Sequence, residues 1–317
     1  MTLNQLKNIS RLQKLRRAKV RMLCKYWSFT VKNWIYGLNA KRCNDCAYGK
    51  TMNTVDIDNL KIGNHFYNVV TDPLYGQHLG NEFERHTCDL ISCFDEQGSC
   101  LDVGANIGMT TLLMSNLFSE VYSFEPAPST FSLLKENVER NGLKNIKLFN
   151  VGLGSEALST EIQFAEGNRS GGFINDITKA SDGHVTEQIM VEKGDEILKE
   201  HQLTPSFIKM DVEGYELHAL RGLKKAINQS NPVVMVEANH WCLNAFQRIS
   251  MPDFVDELLD TFPILYAVNT DKKYLNLRSQ SERYVFFHSN ILRNEFLDLV
   301  GGFFPSQFDR FRSIFSN

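Results

Sequence analysis

From residue 99 onward the apolar and polar positions keep switching between two periods. The stretch "CLDVG" is a continuous apolar run ending in a glycine, which reads as a buried strand. A helix is expected over 108–118, a second strand over 120–126, and a helix over 128–142. In that helix Phe131, Leu134 and Val138 recur at three- and four-residue spacing, and Asn141 and Gly142 end it. A third strand follows over 145–154, then shorter strands and loops over 155–192 that include "EGNRSGG". The pattern next predicts a short helix over 195–202, a strand over 206–214, a helix over 215–227, a strand over 232–239 and a helix over 252–262. "ILYAVN" and "YVFFHS" are expected to form a closing strand pair. Strands that alternate with helices imply a parallel sheet with right-handed crossovers and helices on both faces.

Residues 43–98 precede this alternation. Two strands (53–57 and 61–70) and a helix around 80–94 are expected there, packing on the main sheet as an extension. The domain plan is therefore a basic segment 1–42, an extension 43–98 and a main domain 99–317.

Composition narrows the class. The chain has 317 residues, 43% of them hydrophobic, with no enrichment in Gly or Pro and no apolar run long enough to span a bilayer. The seven cysteines are odd in number and irregularly spaced, which argues against a disulfide framework and for a reducing, cytoplasmic setting. Cys43 and Cys46 form a lone CxxC, and a zinc site there needs Cys88, Cys93 or His86 as further ligands; reduced structural thiols are the other reading.

The turn after the first strand carries the chemistry. A dinucleotide fingerprint read from Gly104 needs glycine at 106 and 109, where this chain has Asn106 and Met109. A phosphate-binding loop fails as well, because no Gly-Lys-Ser/Thr follows. Asp102, two residues ahead of Gly104, and Gly108, which closes the turn, suit a ligand with a cationic amino-acid end. Glu125 closes the second strand, where an acid accepts hydrogen bonds from ribose hydroxyls. A ribose acid beside a phosphate-free turn points to S-adenosylmethionine. The alternative is that Asp102 caps the following helix and Glu125 is a solvated strand end.

Four stretches, "LDVGANIGMTTLL", "VYSFEPAPSTFSLLKENVERN", "VEKGDEI" and "FIKMDVEGYELHALRGL", resemble in order and spacing the signatures of the FkbM-type methyltransferases. The resemblance covers roughly residues 99–240. It implies a class I methyltransferase (Rossmann-like) α/β fold: a doubly wound, mostly parallel, seven-stranded sheet, here with an N-terminal helical and strand extension. It also implies S-adenosylmethionine as methyl donor and O-methylation of a hydroxyl on a sugar, glycan or secondary metabolite. Residue by residue, Asp102, Gly104, Asn106 and Gly108 match the cofactor turn, Glu125 the ribose acid, and Asp211, Glu213 and Gly214 the fourth-strand motif, with Asp211 counted among the cofactor contacts.

A hydroxyl acceptor gains from a general base. Asp211 at the end of strand four, and Glu237 and His240 at the end of strand five, are the catalytic candidates; His240 has the best unshifted pKa for the role, and a loop histidine is its plainer reading. Glu213 alternatively caps the helix expected to begin at Gly214, and Lys209 is expected on the other face of the strand from Asp211 and Glu213 if the strand runs that far. In a competing route a divalent metal such as Mg²⁺ is held by Asp211 with Glu237 or Asn239, although no metal ligand set is assigned. Base or glutamine nitrogen methylation usually comes with Asn-Pro-Pro-aromatic at strand four. "KMDVEG" stands there instead, which disfavours nucleic acid. A catalytically silent nucleotide-binding scaffold and a nicotinamide oxidoreductase are the other classes. The segments 166–192 and 239–251 are expected to line the acceptor pocket.

The net charge of −3 conceals an asymmetry. Residues 1–42 hold 11 Lys/Arg and no acid, which leaves 23 bases against 37 acids in the rest. On a helix, Leu12, Leu15, Ala18, Met22, Leu23, Tyr26 and Phe29 share one side and Lys14, Arg17, Arg21, Lys25 and Lys32 another. This suits peripheral contact with an anionic membrane at the inner face, or packing of the apolar stripe on the extension.

Overall fold

The computed structural model describes residues 54–94, 98–175 and 183–317. The expectations for residues 1–42, and for Cys43 and Cys46, lie outside the described residues. Residues 54–175 and those from 185 onward belong to one compact unit.

The chain enters through an antiparallel hairpin, β1 (Val55–Ile62) and β2 (His65–Thr71), followed by helices α1 (Pro73–Leu79) and α2 (Arg85–Ile91). The helix expected around 80–94 is α2, and α1 ahead of Gly80 (φ 57°) is an additional helix outside that range. Then come β3 (Ser99–Val103), α3 (Met109–Met114), β4 (Glu120–Phe124), α4 (Pro128–Arg140) and β5 (Ile146–Phe149). The strand expected over 145–154 breaks after Phe149. Its second piece, β6 (Gly152–Gly154), joins another sheet with β7 (Leu158–Ala165), β8 (Asn168–Ile174) and β9 (His184–Lys193), in the order β6-β9-β7-β8.

The main chain path resumes with α5 (Gly194–Glu200), β10 (Pro205–Met210), α6 (Glu216–Gly222), α7 (Lys224–Ser230) and β11 (Val233–Glu237). It ends with α8 (His240–Gln247), α9 (Met251–Thr261), β12 (Ile264–Val268), β13 (Tyr274–Asn276), α10 (Gln280–Arg293), β14 (Asp298–Gly302) and α11 (Asp309–Ile314). The main sheet runs β13-β12-β14-β11-β10-β3-β4-β5. Strands β11, β10, β3, β4 and β5 are parallel neighbours, and β14 is antiparallel to both β11 and β12. This is a doubly wound α/β sheet. It has eight strands where seven are expected: β14 is not among the expected ones, and β13 is an antiparallel edge partner of β12.

One strand of the expected closing pair is corrected. "YVFFHS" lies inside α10, and the closing partner of β12 is β14. Ser279 caps α10 by accepting the Glu282 N–H, and Phe286, Ser289 and Asn290 are buried together at helical spacing while Tyr284 and Val285 are exposed. Aromatic and β-branched content favoured a strand; one buried Phe at i, i+3, i+4 spacing, worth roughly 1.5–3 kcal/mol of burial, goes with the helix instead.

Alternate residues of the central strands enter two separate cores, as expected of strands covered on both faces. Cys100, Phe207, Val233 and Met235 pack with the hairpin residues Leu60, Ile62 and Val69 and with α3. Leu101, Ile208, Met210, Val234 and Val236 pack with α6, α9 and α10. The hairpin is also tied to the sheet by polar contacts. Asn137 of α4 accepts the Val70 N–H at 2.6 Å and donates to the carbonyls of Val70 and Ile107. Among the described residues no helix is long and apolar enough to cross a membrane.

Candidate active site

The carboxyl ends of β3, β4, β10 and β11 lie side by side in the sheet, and the candidate residues sit there. The turn after β3 is left-handed at Gly104 (φ 81°), Asn106 (φ 51°) and Gly108 (φ 99°). A Cβ on Gly104 would stand 1.9 Å from the Asp211 carbonyl oxygen, so the loops after β3 and β10 pass in backbone contact. The N–H groups of Gly104 and Ala105 both donate to the Phe124 carbonyl at 3.0 Å. Asn106 is used where a dinucleotide turn has glycine: its Oδ1 accepts the Ile107 N–H at 2.8 Å.

Glu125 follows β4 and is 6% exposed. Its Oε2 accepts the Asn106 N–H and its Oε1 the Ala127 N–H, each at 2.9 Å. Glu125 is thus neither a solvated strand end nor an unattached acid; it joins the second strand to the glycine turn. Burial pushes its carboxyl up to about 7, against the lowering effect of those two N–H donors.

Asp102 is fully buried. Its Oδ2 accepts the hydroxyls of Thr110 at 2.8 Å and Thr111 at 2.6 Å, and its Oδ1 has no hydrogen-bond partner. It does not cap α3, whose N-cap residue is Gly108 with no side-chain cap hydrogen bond; it binds the hydroxyls of the helix's first turn. One neighbour is corrected: Lys209, expected on the other face of the strand from Asp211 and Glu213, lies against Asp211. Lys209 and Asp102 are direct partners in the β10–β3 register. The ammonium lies 3.7 Å from Asp102 Oδ1, 3.3 Å from Asp211 Oδ2 and 3.4 Å from the Gly104 carbonyl. Burial alone lowers its pKa, but the carboxylates of Asp211 and Asp102 outweigh burial and raise it. The two-residue period of a strand, which puts 209 and 211 on one side, was the available signal. The Lys209 side chain is 7% exposed and that of Asp211 41%, so Asp211 is the member open to a ligand.

The loop from Asp211 to Tyr215 is shaped by residues that follow it. Glu213 (φ 50°) and Gly214 (φ 101°) are left-handed, and a Cβ on Gly214 would meet the Cys242 carbonyl oxygen at 2.7 Å. The helix begins at Glu216, not Gly214, with Tyr215 as an N-cap residue that makes no side-chain cap hydrogen bond; Glu213 does not cap it, and Glu216 reaches back to the loop ahead of it. Its Oε1 accepts the N–H groups of Val212 at 3.1 Å and Gly214 at 3.0 Å. Glu213 instead accepts the Cys242 thiol at 3.1 Å.

Glu237 ends β11, directly opposite Asp298 of β14 in register. Its Oε2 is buried with no hydrogen-bond partner. Burial, then the charges of Asp211, Glu213, Glu216 and Asp298, push its carboxyl well above the usual range. Burial and Asp211 likewise push Glu213 up to about 8. The extension reaches the same place: His86 of α2 meets Asp298 Oδ2 with Nε2 at 3.1 Å. Burial, with contributions from Asp211 and Asp298, raises Glu84. Asp211 and Glu237 are therefore brought together in one field of carboxylates. His240 opens α8 behind Asn239, whose Oδ1 accepts the Cys242 N–H at 3.3 Å. Among the described residues no hydrogen bond or ion pair joins His240 to Asp211 or Glu237, and burial lowers its imidazole pKa.

Among the described residues no three His, Cys, Asp or Glu side chains converge as metal ligands. His86 is engaged by Asp298, and the thiols of Cys88 and Cys93 donate to the carbonyls of Phe83 and Asp89. The segments expected to line the acceptor pocket do touch: Phe173 stacks on Phe246 at 4.0 Å, and Gln247 Nε2 donates to the Ile174 carbonyl at 2.8 Å.

The "Methyltransferase FkbM domain" matches residues 102–275, more than half of the chain. "Methyltransferase 1" of Beauveria bassiana is 29% identical over 155 residues, covering 43% of this chain and 62% of that protein. The hexuronic acid methyltransferase AglP of Haloferax volcanii is 32% identical over 147 residues, covering 46% of this chain and 58% of that protein. The chain thus spans about three fifths of the length of these relatives. A solved FkbM methyltransferase from Methylobacillus flagellatus is 22% identical, covers 53% of this chain and 38% of its own, and superposes with a TM-score of 0.37.

Proposed function

The chain belongs to the FkbM methyltransferase family, and from that premise we propose that it transfers a methyl group from S-adenosylmethionine to a hydroxyl of a small-molecule or glycan acceptor, with a sugar hydroxyl favoured. The observation that carries the cofactor reading is the Glu125–Asn106 contact. It puts the acid of the second strand on the glycine turn, and each carboxylate oxygen keeps a lone pair for a ribose hydroxyl. The sugar preference rests on the hexuronic acid methyltransferase relative.

S-adenosylmethionine supplies a methyl group on a sulfonium, and the carbon–sulfur electron pair leaves with sulfur. The remaining work falls to the chain. Glu125 holds the ribose. The Gly104–Gly108 turn presents backbone close to the cofactor's amino-acid end. Asp211, the exposed carboxylate at the end of β10, accepts the proton of the acceptor hydroxyl as its oxygen bonds to the methyl carbon. Glu213 and Glu237, both held toward their protonated forms, serve as hydrogen-bond donors and acceptors to the acceptor's other hydroxyls.

Calorimetry against S-adenosylmethionine, S-adenosylhomocysteine and NAD tests the cofactor, and binding of NAD alone overturns the reading. A labelled-methyl transfer assay on a cell extract, with the labelled product identified, tests the acceptor class. With an acceptor in hand, Asp211→Asn is expected to lower turnover on the order of 100-fold or more with little change in cofactor affinity. An Asp211→Asn enzyme at full rate beside an inactive His240→Ala enzyme moves the base to His240.

A further inference from the structure

We propose that the indole of Trp241 is the platform on which a pyranose ring of the acceptor stacks, beside the ends of β10 and β11. The inference rests on the methyltransferase reading of the site and goes beyond it, because it names the shape of the acceptor and the side chain that recognises it.

The backbone places Trp241 at the site. Helix α8 starts just past β11, and its first turn rests on the loop that carries Asp211. A Cβ on Gly214 would meet the Cys242 carbonyl oxygen at 2.7 Å, and the Cys242 thiol donates to Glu213 at 3.1 Å. Asn239 ties the same turn from the strand side, accepting the Cys242 N–H at 3.3 Å. Trp241 is bonded to this anchored residue on one side and to His240 on the other.

The ring is held, yet open. Trp241 is 49% exposed and is the one tryptophan among the described residues. The Phe246 ring meets it nearly at right angles, 85° at 5.1 Å. Phe246 is itself buried and lies flat on Phe173 of β8. Gln247 fastens α8 to β8 through the Ile174 carbonyl. The indole is therefore braced from two elements, and about half of the residue stays uncovered. A braced ring loses little side-chain freedom when something stacks on it.

The polar groups nearby select what stacks. Glu237 Oε2 and His240 Nδ1 are buried, and neither has a hydrogen-bond partner. Such atoms are costly unless a ligand pairs with them. An aromatic wall with a few polar groups is the usual make-up of a small-molecule site. A pyranose suits both parts. Its face presents C–H groups of slight positive charge, which match the negative face of an aromatic ring, and its rim presents hydroxyls. A flat phenolic acceptor would use the indole and leave the polar atoms unpaired. An open-chain polyol would pair with them and leave the indole bare.

The test is labelled-methyl transfer by the full chain to a dilution series of whole cell extract, with the labelled product identified. Trp241→Phe keeps a ring, and Trp241→Leu keeps only apolar bulk. In Trp241→Leu the half-saturating extract concentration is expected to rise about tenfold or more, while the saturating rate and the affinities for S-adenosylmethionine and S-adenosylhomocysteine stay within about threefold of the parent. Trp241→Phe should stay within about threefold throughout, and the parent's product should carry the methyl group on a pyranose hydroxyl. If Trp241→Leu does not fold, the same rise is required of Trp241→Gln, a good helix former at this exposed position. Half-saturation unchanged in Trp241→Leu overturns the proposal, as does equal impairment of the Phe and Leu variants. Lost affinity for S-adenosylmethionine puts the indole on the cofactor and overturns it too, and so does a labelled product without a pyranose. All four outcomes leave the methyltransferase reading standing; a parent that labels nothing in the extract removes both.

Discussion

Glu216 accepts the N–H of Gly214 at 3.0 Å, and with the same oxygen the N–H of Val212, so the loop that presents Asp211 is braced from the helix after it. Val212 and Gly214 stand on either side of the left-handed Glu213, and Gly214 is itself left-handed. Glu216→Ala leaves them unpaired in a buried place and is expected to cost roughly 1–3 kcal/mol per stranded group in urea unfolding. Glu216→Gln keeps the accepting oxygen and should cost much less. Equal losses in the two variants would assign the effect to packing and not to the brace.

Glu125 has two duties, and substitutions should separate them. Glu125→Gln keeps one acceptor oxygen, loses the charge and the acceptor for one of the two N–H groups, and is expected to weaken S-adenosylhomocysteine binding by about 1.5–3 kcal/mol, roughly 10- to 150-fold. Glu125→Ala strands both N–H groups, of Asn106 and Ala127, so it should lose more fold stability than Glu125→Gln as well as affinity. Calorimetry and thermal melting on the two variants check both. Full affinity in a folded Glu125→Gln protein removes the ribose assignment.

Cofactor affinity should depend on pH through the same residue. Burial holds the free Glu125 carboxyl at about 7, and ribose hydroxyls donate to its ionised form. Binding therefore requires loss of the proton and weakens as pH falls through 7. Between pH 8 and pH 6 the S-adenosylhomocysteine affinity is expected to drop about tenfold, with protons released on binding at pH 6.5. Calorimetry in two buffers of different ionisation enthalpy measures that release. A flat affinity profile contradicts the mechanism.

Much of the fold was legible because buried parallel strands and amphipathic helices write different periods. The runs around Leu101, Ile208 and Val234 read as strands, and Phe131, Leu134 and Val138 as a helix face. What failed had local causes. "YVFFHS" has strand composition on a helical burial pattern, and the capping Ser279 lies five residues upstream, outside the apolar run. The strand expected to reach Gly214 stops at Met210, because the left-handed loop there is braced by Glu216 and set by close contact with Gly104 and Cys242, which are distant in sequence. The site was legible as a set of residue types at strand ends. Lys209, Glu216 and Glu84 were not, because a lysine or glutamate marks a site only once its neighbours in space are known.

The carboxylate field also sets how stability depends on pH. Glu125 and Glu216 are held at about 7 and Glu213 at about 8, from an ordinary value of 4.5, with burial the leading cause in each. A carboxyl whose folded-state pKa is raised binds a proton in the native chain that the unfolded chain has already released. Its contribution is fully present below the unfolded value and is lost as pH rises through the folded one. Between about pH 4.5 and pH 8 the native state thus holds extra protons, and stability falls as pH rises. His218 and His240, lowered by burial, act in the opposite sense, but only below their ordinary value of 6.5. Above that pH nothing offsets Glu213 among these groups. Urea midpoints of the ligand-free chain are therefore expected to be higher at pH 6.5 than at pH 8, and Glu213→Gln should flatten that difference by removing the titrating group. A midpoint that rises from pH 6.5 to pH 8 would show that the carboxylates at the ends of β10 and β11 stay ionised in the free protein.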